Sequence, residues 1–131
     1  MDTSSETVFA KIIRRDIPAE IVYEDADTIA FLDHAPDQLG HTLVVPKKYA
    51  RSIFDIDSEH FLTVMKTVHM IARHVKKAVG ADGMKILINN EPAGGQLVMH
   101  VHVHLIPFFD SKTPATKETL SEVAKKIRDT F

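Results

Sequence analysis

The 131-residue chain contains neither cysteine nor tryptophan, and only two tyrosines. Without thiols there are no disulfides and no thiolate metal sites, which fits a reducing cytosol. No apolar run approaches the ~18 residues of a membrane span. Residues 1–7 are polar and acidic and lack the basic start and apolar stretch of a secretory signal. These absences predict a cytoplasmic protein with no membrane partner. A basic excess is missing too, since 16 Lys and Arg face 18 Asp and Glu. The net charge of −2 argues against binding a nucleic-acid polymer, whose partners carry a basic stripe. There is no P-loop, paired-carboxylate motif, internal repeat, low-complexity stretch or long linker. The chain therefore reads as one domain over 1–131, with 110–131 as a C-terminal helical extension.

Periodicity divides the chain into helices and strands. Val8, Phe9, Ile12 and Ile13 form a helical stripe, predicting an N-terminal helix over 8–15 that Pro18 ends. Residues 20–24 and 28–33 read as strands joined by an acidic turn, and 41–46 as a third strand closed by Pro46. Ser58 reads as the cap of a long helix over 59–79. Its stripe is Phe61, Met65, Val68, Ala72, Val75 and Val79, widened by Leu62 and Ile71, and Gly80 is its C-terminal cap. Residues 85–89 and 98–107 are strands four and five. Thr113 and Pro114 open a last helix whose apolar face is Leu120, Val123, Ala124 and Ile127. Most links between strands are too short for crossover helices. The expected fold is α+β, with a five-stranded antiparallel sheet, a long helix and helices at both ends.

Eight histidines are present, and three of them alternate in Met99-His100-Val101-His102-Val103-His104-Leu105-Ile106-Pro107. On a strand, alternate side chains share a face. His100, His102 and His104 would then stand together, ~6.6 Å apart along the strand, with Val101, Val103 and Leu105 on the core side. Three readings compete. The first is a histidine-rich surface strand. The second is a metal site completed by His41. The third is a nucleophilic or acid–base histidine supported by its neighbours, because imidazole near neutral pH attacks phosphorus without a strong base. Gly94-Gly95-Gln96, just upstream, favours the third. Glycines allow close backbone approach, and their amides suit phosphate oxygens. His60, His69 and His74 lack i, i+4 ligand spacing and read as solvated or edge positions. His34 reads as a loop residue.

These motifs resemble the histidine triad (HIT) family, near its nucleoside phosphoramidase branch. The family pattern is His-x-His-x-His followed by two apolar residues, and His100 to Ile106 match it. Further marks are Phe9-Ala10-Lys11-Ile12-Ile13, Ala30-Phe31-Leu32-Asp33, Gly40-His41-Thr42-Leu43-Val44-Val45-Pro46-Lys47 and Gly94-Gly95-Gln96. Together they cover nearly all of 9–107. The resemblance implies a homodimer with its sheets running together, and a nucleotide hydrolase or transferase working through a covalent nucleotidyl-histidine. His102 would be the nucleophile, with His100 and His104 orienting it and binding phosphate oxygens. His41 would complete the polar cluster. Asp33 would hold the ribose hydroxyls, while Phe9, Ile12 and Phe31 line the base pocket. Asn89, Gly95 and Gln96 would meet phosphate or ribose.

The scheme requires neither metal nor cofactor. Its leading substrate is a purine nucleoside phosphoramidate. The alternatives are dinucleoside polyphosphate hydrolysis and a nucleotide-binding module with little turnover. Leu97 departs from the pattern, standing where many phosphoramidase members carry a hydroxyl residue. Pro107-Phe108-Phe109 departs as well, replacing a Gly-Gly-Arg segment.

Overall fold

The computed structural model describes residues 7–110 and 118–131. Helix α1 (Val8–Ile13) opens with Thr7, whose hydroxyl accepts the Ala10 N–H at 3.0 Å, the usual N-cap arrangement. It ends with the apolar stripe at Ile13, two residues short of the expected range 8–15. Arg15 turns into the left-handed region at φ +67°, and this reversal, not Pro18, stops the helix.

Strands β1 (Ile21–Glu24), β2 (Thr28–Leu32) and β3 (Thr42–Pro46) form an antiparallel meander. At the first turn the Asp25 carboxylate accepts the Asp27 and Thr28 amides, each at 2.8 Å. Helix α2 (Ser58–Val79) follows, then β4 (Gly83–Leu87), a short 3-10 turn over Pro92–Gly94, β5 (Val103–Phe108) and α3 (Leu120–Arg128). The sheet order is β1-β2-β3-β5-β4, and all neighbouring pairs are antiparallel. The fold class is the expected α+β. The last strand lies between β3 and β4, so Leu43 and Leu87 flank His104 within the sheet.

Side-chain alternation gives the sheet two apolar faces. Ala30, Leu32, Val44, Val103 and Leu105 pack on one side with Val64, Val68, Ile71 and Val75 of α2 and Val123, Ala124 and Ile127 of α3. Full burial of a side chain such as Ile71 contributes about 1.5–3 kcal/mol. Ile29, Phe31, Leu43 and Val45 face the other way and meet Phe9 and Ile12 of α1. That helix has six residues, whereas α2 has 22. One face is therefore fully roofed and the other is partly open.

Several boundaries differ from the sequence expectation for identifiable reasons. The α2 N-cap is Asp57, whose side chain accepts the His60 N–H. Leu62 is 67 % exposed, because nine residues at about 100° each place it opposite Ile71. Strand β4 starts two residues early, its register running to Gly83 opposite Phe108. Strand β5 starts at Val103, not Val98. The β3 register would set Val101 against Pro46, which has no N–H for the ladder. His100 and His102 thus stand on irregular backbone, tied instead by the Val101 N–H to the Ala50 carbonyl at 2.8 Å. Thr119 caps α3; the expected start at Thr113 and Pro114 lies outside the described residues. The apolar face of α3 packs within this chain, against α2 and β1.

Candidate active site

The partly open sheet face holds a cleft of about 880 Å³, within the usual range for small-molecule sites. Phe9 and Ile12 reach it from α1, Phe31 and Asp33 from β2 and its end, Leu43 from β3 and His41 from the residue just before it. His102 and His104 form its polar floor, and Asn89, Gly95, Leu97 and Val98 bring in the loop before the histidines.

Hydrogen bonds assign the ring protons. The carbonyl of His100 lies 2.7 Å from His102 Nδ1. A carbonyl only accepts, so Nδ1 carries the proton and Nε2 keeps its lone pair. The Asp37 N–H donates to His41 Nδ1 at 3.1 Å, so the His41 proton sits on Nε2. That N–H donates to His104 Nδ1 at 3.0 Å. The His104 proton is therefore on Nε2, which is buried and has no partner among the described residues. A buried unpaired donor is costly, and this one adjoins the lone pair of His102, the two rings lying 4.8 Å apart. A tetrahedral anion could accept from the first and be attacked by the second.

Burial disfavours the charged forms of His100, His102 and His104. It pushes the His102 pKa below the ordinary imidazole value, against the opposing pull of the His100 carbonyl. His104 is pushed down to about 4, first by burial, then by the nearby His102 and His41 rings. His100 is also lowered by burial. Its Nε2–H donates to the Pro46 carbonyl at 2.8 Å and its Nδ1 faces the Thr7 hydroxyl at 3.4 Å. His100 therefore stands behind the cleft as a brace, with the Tyr49 ring edge-on at 5.4 Å. The Phe9 ring meets His102 edge-on at 4.8 Å.

The remaining expected residues divide. Asp33, Phe31, Phe9, Ile12, Asn89 and Gly95 line the cleft. Gly95 takes φ +90°, which favours glycine. Gln96 is turned away. Its carbonyl oxygen accepts the Glu91 N–H at 2.7 Å, and its amide donates to the carbonyls of Arg51 and Val98. It pins the loop, including Glu91 at φ +65°, so the expected reach of its side chain to phosphate or ribose is not seen. The amides of Gly94, Gly95 and Gln96 are likewise taken up by Glu91 and Pro92 carbonyls, and they do not form the expected phosphate cradle. Sequence reading missed the Asp37 amide, Thr7 and Tyr49, because no composition marks a backbone donor or a brace.

Donor atoms of Asp33, His41 and His104 lie within 4.8 Å of one another, the arrangement among described residues that could hold a metal ion. A His41 ligand bound through Nε2 would need its proton on Nδ1, facing the Asp37 N–H donor. Metal-bound histidines donate from the second nitrogen, so the donor set fits poorly.

An antiparallel α+β sheet with a histidine cluster over an apolar cleft defines the class. The HIT domain family model matches residues 14–111, and the chain belongs to the HIT family. It is 45 % identical over 109 residues to a HIT-like protein of Mesomycoplasma hyorhinis, covering 83 % of this chain and 98 % of that one. It is 35 % identical to the purine nucleoside phosphoramidase of Escherichia coli, covering 79 % of this chain and 87 % of the relative. A crystal structure of a HIT-like protein from Bartonella henselae superposes with TM-score 0.88 at 46 % identity, covering 97 % of this chain and 98 % of that one.

Proposed function

We propose that the chain is a metal-independent nucleotide hydrolase that cleaves purine nucleoside phosphoramidates through a nucleotidyl-histidine on His102. The observation that carries this reading is the pair formed by the unprotonated His102 Nε2 and the His104 Nε2–H, which has no partner among the described residues. The Nε2 lone pair attacks the α-phosphorus, and the P–N bond breaks as the amine leaves with a proton. Water then attacks the same phosphorus and loses a proton, and the P–Nε2 bond breaks to release the nucleoside monophosphate. Splitting one displacement in two lowers each barrier. The His104 N–H donates to a non-bridging oxygen, where negative charge develops. Phe9, Ile12 and Phe31 offer apolar surface to a base, and the Asp33 carboxylate can accept two ribose hydroxyls.

The charges of the lining favour phosphoramidates over dinucleoside polyphosphates. Glu20, Asp33 and Asp37 line the cleft, and no lysine or arginine does among the described residues. A polyphosphate would bring several negative charges to this wall; a phosphoramidate brings few. The E. coli phosphoramidase relative agrees with that preference. A homodimer accords with the edge of β4, which is unpaired among the described residues and where Ile86 is 48 % exposed; light scattering in solution tests it. Among the described residues no helix is long and apolar enough to cross a membrane.

The test is mass spectrometry of protein quenched during turnover of adenosine 5′-phosphoramidate. Wild type should carry a nucleotidyl adduct on His102, and His102→Ala should carry none and lose activity. Full activity in the variant would overturn the assignment. Faster turnover of a dinucleoside polyphosphate would reverse the substrate order, and AMP binding without turnover of either class would indicate a binding module.

A further inference from the structure

The family match ends at residue 111, yet the cleft does not end with it. Leu120, the first residue of α3, is part of the lining. It shares that wall with Ile17, Ala19 and Glu20 from the α1–β1 connection and with Leu32 and Asp33 at the end of β2. The Leu32 N–H donates to the Glu20 carbonyl at 3.0 Å, so these two segments are one surface. Helix α3 packs on both β1 and β2, the strands flanked by Glu20 and Asp33, and Leu120 rests against the core on the α2 side while its other face meets the cleft.

Helix α3 is firmly seated. Val123, Ala124 and Ile127 are buried, and the Arg128 guanidinium donates to the Ile21 carbonyl at 3.0 Å. Beyond the helix, the Phe131 ring stacks between His74 at 3.8 Å and Tyr23 at 5.6 Å. The Thr130 hydroxyl also meets His74 Nδ1 at 2.9 Å. A half-buried leucine held on such a base is a fixed wall, and a fixed apolar wall discriminates by size.

We propose that α3 is a specificity element of the active site, with Leu120 bounding the sugar side of the nucleoside and limiting the bulk accepted there. This rests on the nucleotide reading above, in which Asp33 takes the ribose hydroxyls. The substrate class it selects is nucleotidyl compounds with an unsubstituted ribose edge. Compounds acylated at the 2′ or 3′ oxygen are disfavoured.

The experiment compares wild type, Leu120→Ala and Leu120→Met. Each is assayed for AMP binding and for turnover of adenosine 5′-phosphoramidate and its 2′(3′)-O-methylanthraniloyl ester. Leu120→Ala should raise KM for the parent about three- to tenfold with little change in kcat, and should improve kcat/KM for the ester relative to the parent. Leu120→Met, of similar volume, should keep the wild-type preference between the two substrates. An unchanged preference between the two substrates in Leu120→Ala would overturn the proposal. So would a loss of kcat and melting temperature with no change in that preference, since this marks a merely structural role. Failure of wild type to bind AMP or turn over either compound would instead refute the nucleotide reading, and this proposal with it.

Discussion

His41 Nε2 stands 3.0 Å from His104 Nδ1, across 63 positions of sequence. Because the Asp37 amide fixes which nitrogen of His41 is protonated, this contact also fixes the proton of His104. His41→Ala should leave the nucleophile in place and remove the orienting donor. A loss in kcat of about 10- to 100-fold is expected, the usual effect of removing a group that orients a functional one. Quenched-flow mass spectrometry should still find the adduct on His102. Wild-type kcat in this variant would show that the relay is idle.

The lowered pKa values of His102 and His104 keep both rings uncharged to lower pH than a free imidazole. The descending acid limb of the kcat/KM profile should therefore be centred below pH 6.5, the unperturbed histidine value. A descending limb centred at or above pH 6.5 would contradict the burial argument.

Stability should follow the same groups with a definite sign. Between pH 6.5 and about 4 the unfolded chain protonates His104 and the folded protein does not. The unfolded state then binds more protons, so stability rises with pH across that window and is lost as pH falls through it. Melting temperature measured from pH 7 down to 4.5 should drop, and His104→Asn should drop less steeply. Parallel curves for the two proteins would exclude His104 as a source of the slope.

Gly40 adjoins His41 and takes φ +85°, and a Cβ there would sit 2.9 Å from Val79 Cγ1 on α2. Left-handed backbone and a close contact together disfavour any side chain. Gly40→Ala should cost about 2 kcal/mol or more, read as a lower urea midpoint. Activity should fall further than stability, because the distortion falls next to the His41 relay. Unaltered stability would mean that α2 can withdraw at no cost.

The proposed chemistry runs on imidazoles alone. Prolonged treatment with EDTA, followed by assay in metal-free buffer, should leave turnover within about twofold. Loss of activity restored by one divalent ion would return Asp33, His41 and His104 to consideration as ligands.

The sequence made the sheet and much of the cleft legible because both rest on alternation. Ile29 and Phe31 face one way and Ala30 and Leu32 the other, as a period of two requires. The same rule brought His102 and His104 together, even though regular strand begins only at Val103. What escaped depended on backbone partners or on distant segments. Gln96 reads as an amide fit for a ligand, and only the fold reveals three main-chain partners that occupy it. The Asp37 amide has no signature at all. Leu120 reads as one more apolar helix position, and its place in the cleft follows from how α3 crosses β1 and β2.

The unequal roofs on the two sheet faces separate what can vary from what must stay. Beneath α2, each change disturbs a continuous core that involves most of the chain's elements. Over the cleft, α1 and the segment after it form the smaller cluster and line the walls directly. New preferences can therefore arise by drift in these thin walls while the fold keeps its stability elsewhere. A library confined to Val8, Ile17 and Ala19 should retain more folded members than one of equal size on the buried face of α2, while every position it varies lines the cleft.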